Sequence, residues 1–396
     1  MSVNQPLRPL QSLRSFEPDQ LGLRIDAVLE QTLYDQRLVG AVVLVAHRGT
    51  LIYRRAAGLA DREAQLPMRE DALFRLSSVS KPIVSVAALV LVAQGKIQLD
   101  DDIKHWLPYF KPTLGDGQPA TITVRELLCH TAGLTYGFLE SEQGGPYRDA
   151  GVSDGMECSS LTLEENLRRL SHAPLLYKPG SGWGYSIATD VLGGLIAAVN
   201  GTSLAVAIDE LISRPLALRD TGFSVSEVSR LSPAYLNDQP QPRRMKALEV
   251  IPVFEGNAGI KLEPARALDP QAYNSGGSGL VGSAGEFLQL LETLRKGGAP
   301  LLPKALVDEM GSNQTGELEL DNWPGRGFGL GFTVLKDPAA AQTAESVGSW
   351  RLGGAYGHSW FVDPAEQLTV VAFTNTAFEG MFGQFTVDLC NAVYGQ

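Results

Sequence analysis

Cysteine is scarce in this chain: Cys129, Cys158 and Cys390 are an odd, scattered set of three. With no C-x-x-C pair they offer neither a disulfide framework nor a zinc site. Histidine is nearly as thin, at five residues. His47, His105 and His172 have no acidic or cysteine neighbour at ligand spacing, so no metal is expected, and no motif asks for a cofactor. Long apolar runs are missing too. No segment is long and hydrophobic enough to span a bilayer, and the opening MSVNQPLRPLQSLRSFEPDQ lacks the continuous apolar stretch of a secretory signal. The expectation is a cytoplasmic protein with reduced thiols and no membrane partner. Positive charge is in deficit, with 33 Lys and Arg against 44 Asp and Glu and a net charge of −11. An acidic surface repels phosphate backbones, which excludes nucleic acid as the expected partner. Nothing in the pattern speaks to oligomeric state.

What is present is an ordinary globular balance, 44% hydrophobic and 19% charged, in a chain of 396 residues. That length exceeds what one core usually serves, so two domains or a large insertion are expected. Residues 18–38 repeat apolar positions at helical spacing. VGAVVLVAHRG and TLIYRRAAG read as two strands joined at Arg48-Gly49-Thr50 into a hairpin. LFRLSSVSKPIVSVAALVLVAQGKI reads as a helix entered near Ser78 and stopped near Gly95, apolar enough to be buried on most sides. Stretches 122–130 and 187–199 and LAVAIDELI are helical, and 232–270 is an irregular excursion. From 327 onward FGLGFTVL, AYGHSWFVD and LTVVAFTN read as strands, the last two joined through Pro364-Ala365-Glu366-Gln367, and a helix over about 380–394 closes the chain. These elements predict an α/β fold of the α+β type: an antiparallel sheet built from both chain ends, flanked by helices, with an inserted mostly helical domain. The division falls at 1–76 and 271–396 for the sheet domain and 77–270 for the helical one, with the site between them.

Ser78-Val79-Ser80-Lys81 carries the chemistry. A serine hydroxyl needs a base within hydrogen-bond reach, and positions i and i+3 share a helix face, so Lys81 lies beside Ser78. At a helix start, unpaired backbone N–H groups and the positive end of the dipole favour an oxyanion. Burial against an apolar helix favours the free amine over the ammonium. The plainer alternative is a capping serine and a solvated lysine. Gly151-Val152-Ser153-Asp154-Gly155 spells the G-x-S-x-G elbow, but that motif needs a strand before it and a helix after it. Its flanks here are loop-like, and Ser153 is set aside as nucleophile.

Other segments follow in a telling order. They are Glu126 through Leu134 (ELLCHTAGL), Pro179-Gly180 through Trp183-Gly184-Tyr185-Ser186, Leu216-Ala217-Leu218 with Thr221-Gly222-Phe223, and Gly276-Gly277-Ser278-Gly279-Leu280. Together with Phe74 through Pro82 they resemble the group of class C β-lactamases, DD-peptidases and family VIII carboxylesterases, from about residue 20 to the C-terminus. The resemblance implies that Ser78, Lys81 and Tyr185 are the catalytic set, with Tyr185 and Lys81 sharing one proton. It also implies an oxyanion hole from the N–H groups of Ser78 and Ala355.

Two departures bear on substrate. Leu352-Gly353-Gly354-Ala355 stands where the β-lactamases have K-T-G, so the lysine that holds a substrate carboxylate is missing; Arg351 would point to the other strand face and is no replacement. Ile187 stands where the family's Y-x-N asparagine grips a β-lactam amide. Both changes favour a carboxylesterase for small esters, with an apolar acyl pocket. The two glycines, Gly353 and Gly354, are expected to let backbone approach a ligand. Tyr136 is expected at the pocket entrance, Trp183 and Trp360 as pocket walls or packing, His130 as an organiser of its loop, and His358 as a group shaping the site. The alternatives are a β-lactamase, a D-amino peptidase or an acyltransferase with the same site, or a sensor that is acylated without turnover.

Overall fold

The computed structural model describes residues 16–396. The segment read for a secretory signal lies, up to Ser15, outside the described residues. The first helix, α1 (Pro18–Tyr34), buries Leu21, Ile25 and Leu29 on one face. Strands β1 (Gly40–His47) and β2 (Thr50–Asp61) follow. Arg48 and Gly49 both adopt positive φ, +52° and +84°, as a two-residue hairpin turn matched to strand twist requires. A short β3 (Leu66–Pro67) ends this end of the sheet.

The helix α2 (Ser80–Ala93) buries every residue from Ser80 to Leu91, so it is a central core element with no solvent face. Each aliphatic side chain fully buried there contributes about 1.5–3 kcal/mol. It stops where Gly95 turns to φ +69° and Lys96 N–H reaches back to the Leu91 carbonyl, a left-handed C-terminal cap. The inserted region supplies α3 (Val124–Leu128), opened by a reciprocal Thr123–Glu126 capping box, and α4 (Ala188–Asn200). After it come α5 (Ala284–Arg295), β4 (Arg326–Phe328), β5 (Thr333–Leu335), β6 (Trp350–Gly354), β7 (His358–Asp363), β8 (Leu368–Thr374) and α6 (Gln384–Tyr394). Among the described residues, no single helix is long and apolar enough to cross a membrane.

The eight strands order as β4-β5-β6-β7-β8-β1-β2-β3, and every pairing is antiparallel. The β8–β1 seam, Ala41 opposite Thr374 through His47 opposite Leu368, joins the two chain ends as expected. Alternation divides the sheet's faces. Ala41, Val43, Val45, Phe361, Val370 and Ala372 pack under α1 and α6, while Val42, Leu44, Trp360, Val362, Val371 and Phe373 pack on the side of α2 and α5. The second cluster runs on without a break into Leu127, Val191 and Leu195 of α3 and α4.

Several boundaries differ from the sequence reading. FGLGFTVL is two strands, because Gly331 turns at φ +116° and its backbone lies against Ser85 of α2: a methyl there would come 2.5 Å from the Ser85 hydroxyl. LAVAIDELI is a short α-helix, Leu204–Ile208, that loosens into a π-turn over Asp209–Ser213. The closing helix is broken at Gly383 into Glu379–Phe382 and α6. The excursion 232–270 holds four short strands and a 3-10 turn.

Candidate active site

The chain reaches Ser78 from a short strand, Leu73–Arg75, that pairs with Val281–Ser283. Ser77 then takes φ +44°, costly for a residue with a side chain, and Ser77–Val79 form one 3-10 turn before α2 begins at Ser80. The nucleophile candidate therefore sits on the turn preceding the helix and not inside it, partly open to solvent. The Lys81 amine lies 3.3 Å from the Ser78 hydroxyl and donates to the Gly277 carbonyl at 3.0 Å. Lys81 is fully buried, which overturns the solvated alternative for it.

Strand β6 ends against this turn. A methyl on Gly354 would lie 2.5 Å from the Leu76 carbonyl oxygen and 2.8 Å from the Ser77 hydroxyl, and Tyr356 N–H donates to that hydroxyl at 3.4 Å. A side chain at Gly354 is excluded by the nucleophile turn. A methyl on Gly353 would meet Met381 at 2.6 Å. Ala355, just past the strand, has its carbonyl held by Phe378 N–H at 3.2 Å. Phe378 holds a positive φ of +65°, strained for an aromatic residue.

The opposite wall is a pair of loops laced together. The H-T-A-G-L turn, with His130 at φ +60°, receives Gly180 N–H at the Thr131 carbonyl, Gly184 N–H at the His130 carbonyl and Ile187 N–H at the Thr135 carbonyl. Ser186 N–H donates to His130 Nδ1 at 3.2 Å, which fixes Nδ1 as the acceptor and leaves the proton on Nε2. Burial and the Lys81 charge push the His130 pKa well below 6.5, so the ring stays neutral. His130 is thus the organiser the sequence suggested, and the segment it organises carries Tyr185. The Tyr185 ring centroid lies 4.6 Å from the Lys81 nitrogen, close enough for a cation–π contact.

The other sequence candidates divide sharply. Trp183 is half-buried and forms an aromatic wall with Trp323 at 5.4 Å and Phe328 at 5.8 Å between ring centroids. Tyr136 is only 1% exposed, its ring centroid 5.3 Å from the Lys81 nitrogen; it lies in the interior, not at an entrance. Ile187 and Leu352 are 0% and 5% exposed and belong to the central core. Neither presents an apolar wall to ligand, because each side chain is consumed by packing. Trp360, wedged between Phe287 and Phe332, is core as well. His358 is buried against Phe74 and Phe373, and its Nε2 lies 2.8 Å from the Arg75 carbonyl. Burial lowers its pKa to about 4, so a neutral ring tethers the strand leading to Ser78. Arg351 points to the far face, paired with Glu345 at 2.5 Å. Ser153 is a buried turn residue whose hydroxyl accepts Gly155 N–H. Among the described residues no His, Cys, Asp and Glu cluster could hold a metal.

Sequence reasoning missed Trp323, whose ring lies 5.6 Å from that of Tyr185, and Asp190, fully buried on α4. Asp190 did leave a signal: it is the single charge in the otherwise apolar stretch ATDVLGGLIAAVN.

The sequence and the fold match a known group. A family model described as Beta-lactamase matches residues 25–388. The chain belongs to the beta-lactamase family. It is 48% identical over 383 residues to Esterase EstB of Burkholderia gladioli, covering 96% of this chain and 97% of that one. Its fold superposes with a TM-score of 0.91 on EstCE1, a hydrolase with promiscuous acyltransferase activity, at 44% identity over 96% of this chain and 100% of that one. Unliganded simvastatin synthase (LovD) from Aspergillus terreus shares the fold, with a TM-score of 0.72 at 22% identity over 95% of this chain and 98% of that one.

Proposed function

We propose that this chain is a serine carboxylesterase that cleaves small or short-chain esters through an acyl-enzyme on Ser78. The observation that carries this reading is the 3.3 Å contact between the Ser78 hydroxyl and a fully buried lysine amine. The hydroxyl oxygen forms the bond to the ester carbon as its proton passes to the Lys81–Tyr185 pair. The carbonyl oxygen takes up the displaced electron pair and is held by the N–H groups of Ser78 and Ala355. Collapse expels the alcohol, which takes the proton; water then repeats the sequence on the acyl-enzyme and frees the acid. His358, Ser77 and Gly354 place the turn, and His130 places Tyr185. The site in this reading lies where the sheet unit (1–76 and 271–396) meets the mostly helical unit (77–270).

Trp183 and Trp323, half-buried at the rim, offer flat apolar surface for an acyl or alcohol group. Leu352 supplies no cation for a substrate carboxylate, so nitrocefin turnover is expected to be slow beside ester hydrolysis. The likeness to Esterase EstB and to EstCE1 supports the esterase, and the latter's acyltransferase activity favours a second outcome from the same acyl-enzyme, capture by an alcohol. Ser78→Ala is expected to lower hydrolysis of p-nitrophenyl butyrate by at least about 10⁴-fold, while Ser153→Ala leaves it unchanged. Retained activity in the first with loss in the second would overturn the reading. An added alcohol that diverts product from acid to ester would establish the transferase branch. An adduct that persists after the ester is removed would mark a sensor.

A further inference from the structure

Beneath Lys81 lies a carboxylate that the reaction as drawn does not use. Asp190 is 0% exposed. It accepts from the Tyr273 hydroxyl at 2.6 Å and from Gly277 N–H at 3.2 Å, and the carbonyl of the same residue accepts from Lys81 at 3.0 Å. Amine and carboxylate thus meet through the Gly277 residue, one at its C=O and one at its N–H. A methyl on Gly277 would lie 2.7 Å from Asp190 Oδ2, 3.0 Å from the Tyr136 hydroxyl and 3.4 Å from Lys81 Nζ, so all three groups surround one small space.

We propose, on the reading above, that Asp190 is a positioning residue: the internal counter-charge that holds the Lys81 amine in place beside Ser78 and sets how readily it carries a proton. A buried charge persists only with a partner. The groups facing the pair are few. His130 and Tyr136 come from the turn after α3, Tyr185 from the loop before α4, Asp154 from the 151–155 turn, and Arg266 and Tyr273 from the segment before Gly277. His130 and Tyr136 are held neutral by burial, and Arg266 is committed to the carbonyls of Gly279 and Tyr273. Asp154 binds the N–H groups of Gly137 and Phe138. Burial raises the Asp190 pKa, opposed by the Tyr273 hydrogen bond and the Lys81 charge.

The test is Asp190→Asn, which keeps the shape and an acceptor for Gly277 N–H but removes the charge. With the carboxylate's charge removed, the acid limb of kcat/KM for p-nitrophenyl butyrate is expected to move to lower pH. A purely structural residue would lower the plateau and leave the limb in place, and that result overturns the proposal. Melting of Lys81→Met, Asp190→Asn and the double variant gives a second, activity-free readout. The double variant is expected to melt at or above Asp190→Asn alone, because neither charge is then left unpaired. Additive losses, or a double variant that fails to fold where each single does, overturn the proposal. If Ser78 forms no acyl-enzyme the esterase reading falls while the melting cycle still stands or fails on its own.

Discussion

The two walls of the site are built by different means. On the Ser78 side the parts are tightly packed: a strained turn, the end of β6 and the start of a helix buried from Ser80 to Leu91, so close that Gly354 has no room for a methyl. On the Tyr185 side the wall is loop, held by a neutral histidine and faced with half-buried aromatic rings. The first wall leaves the turn that carries Ser78 little room to shift. The second presents the half-buried rings of Trp183 and Trp323. The nucleophile candidate sits on the first wall, and Tyr185 and the aromatic rings sit on the second.

Substitutions that exchange these properties should break the contrast. Gly354→Ala forces the nucleophile turn aside and is expected to lower kcat about 100-fold with little change in KM, read in steady-state ester kinetics. His130→Ala strands the buried Ser186 N–H at a cost of about 1–3 kcal/mol. It should lower kcat and Tm together, and His130→Gln, which keeps an acceptor, should recover part of both. Trp323→Ala touches only the rim; it should raise KM about fivefold for bulky esters and leave kcat nearly unchanged. Equal loss of kcat in the Gly354 and Trp323 variants would erase the distinction.

The smallest effect lies further from Ser78, at Asp154. Burial raises its pKa to about 7, against hydrogen bonds from Gly137 and Phe138 N–H that favour the charged form. A carboxyl whose folded pKa is raised binds its proton more tightly in the folded state, so its stabilising share is full below about pH 4 and is lost as pH rises toward 7. Relative to the parent, Asp154→Asn should therefore fare better at pH 8 than at pH 5, read as the difference in Tm at each pH.

What the sequence revealed follows from range. The β1–β2 hairpin rests on two adjacent residues, Arg48 and Gly49, and the buried helix on an unbroken apolar run, so both were legible. The segments that carry Ser78 and Tyr185 stood out because whole stretches of sequence resemble a family's. Trp323 was not, because its contact with Tyr185 is made between loops far apart in the chain. Ile187 and Leu352 were misjudged for the opposite reason: a motif position names a place in the chain but not what packs on it, and here the core takes both side chains. Asp190 shows the limit from within, since a lone charge on an apolar helix reads as solvent-facing until the neighbouring elements are in place.

The most direct measurement is quenched-flow mass spectrometry with p-nitrophenyl butyrate, followed by proteolysis to locate the acyl group. A butyryl group on the peptide bearing Ser78, forming and decaying at rates that match turnover, is the expected result. An acyl group on Ser153, or steady hydrolysis with Ser78 never modified, would contradict it.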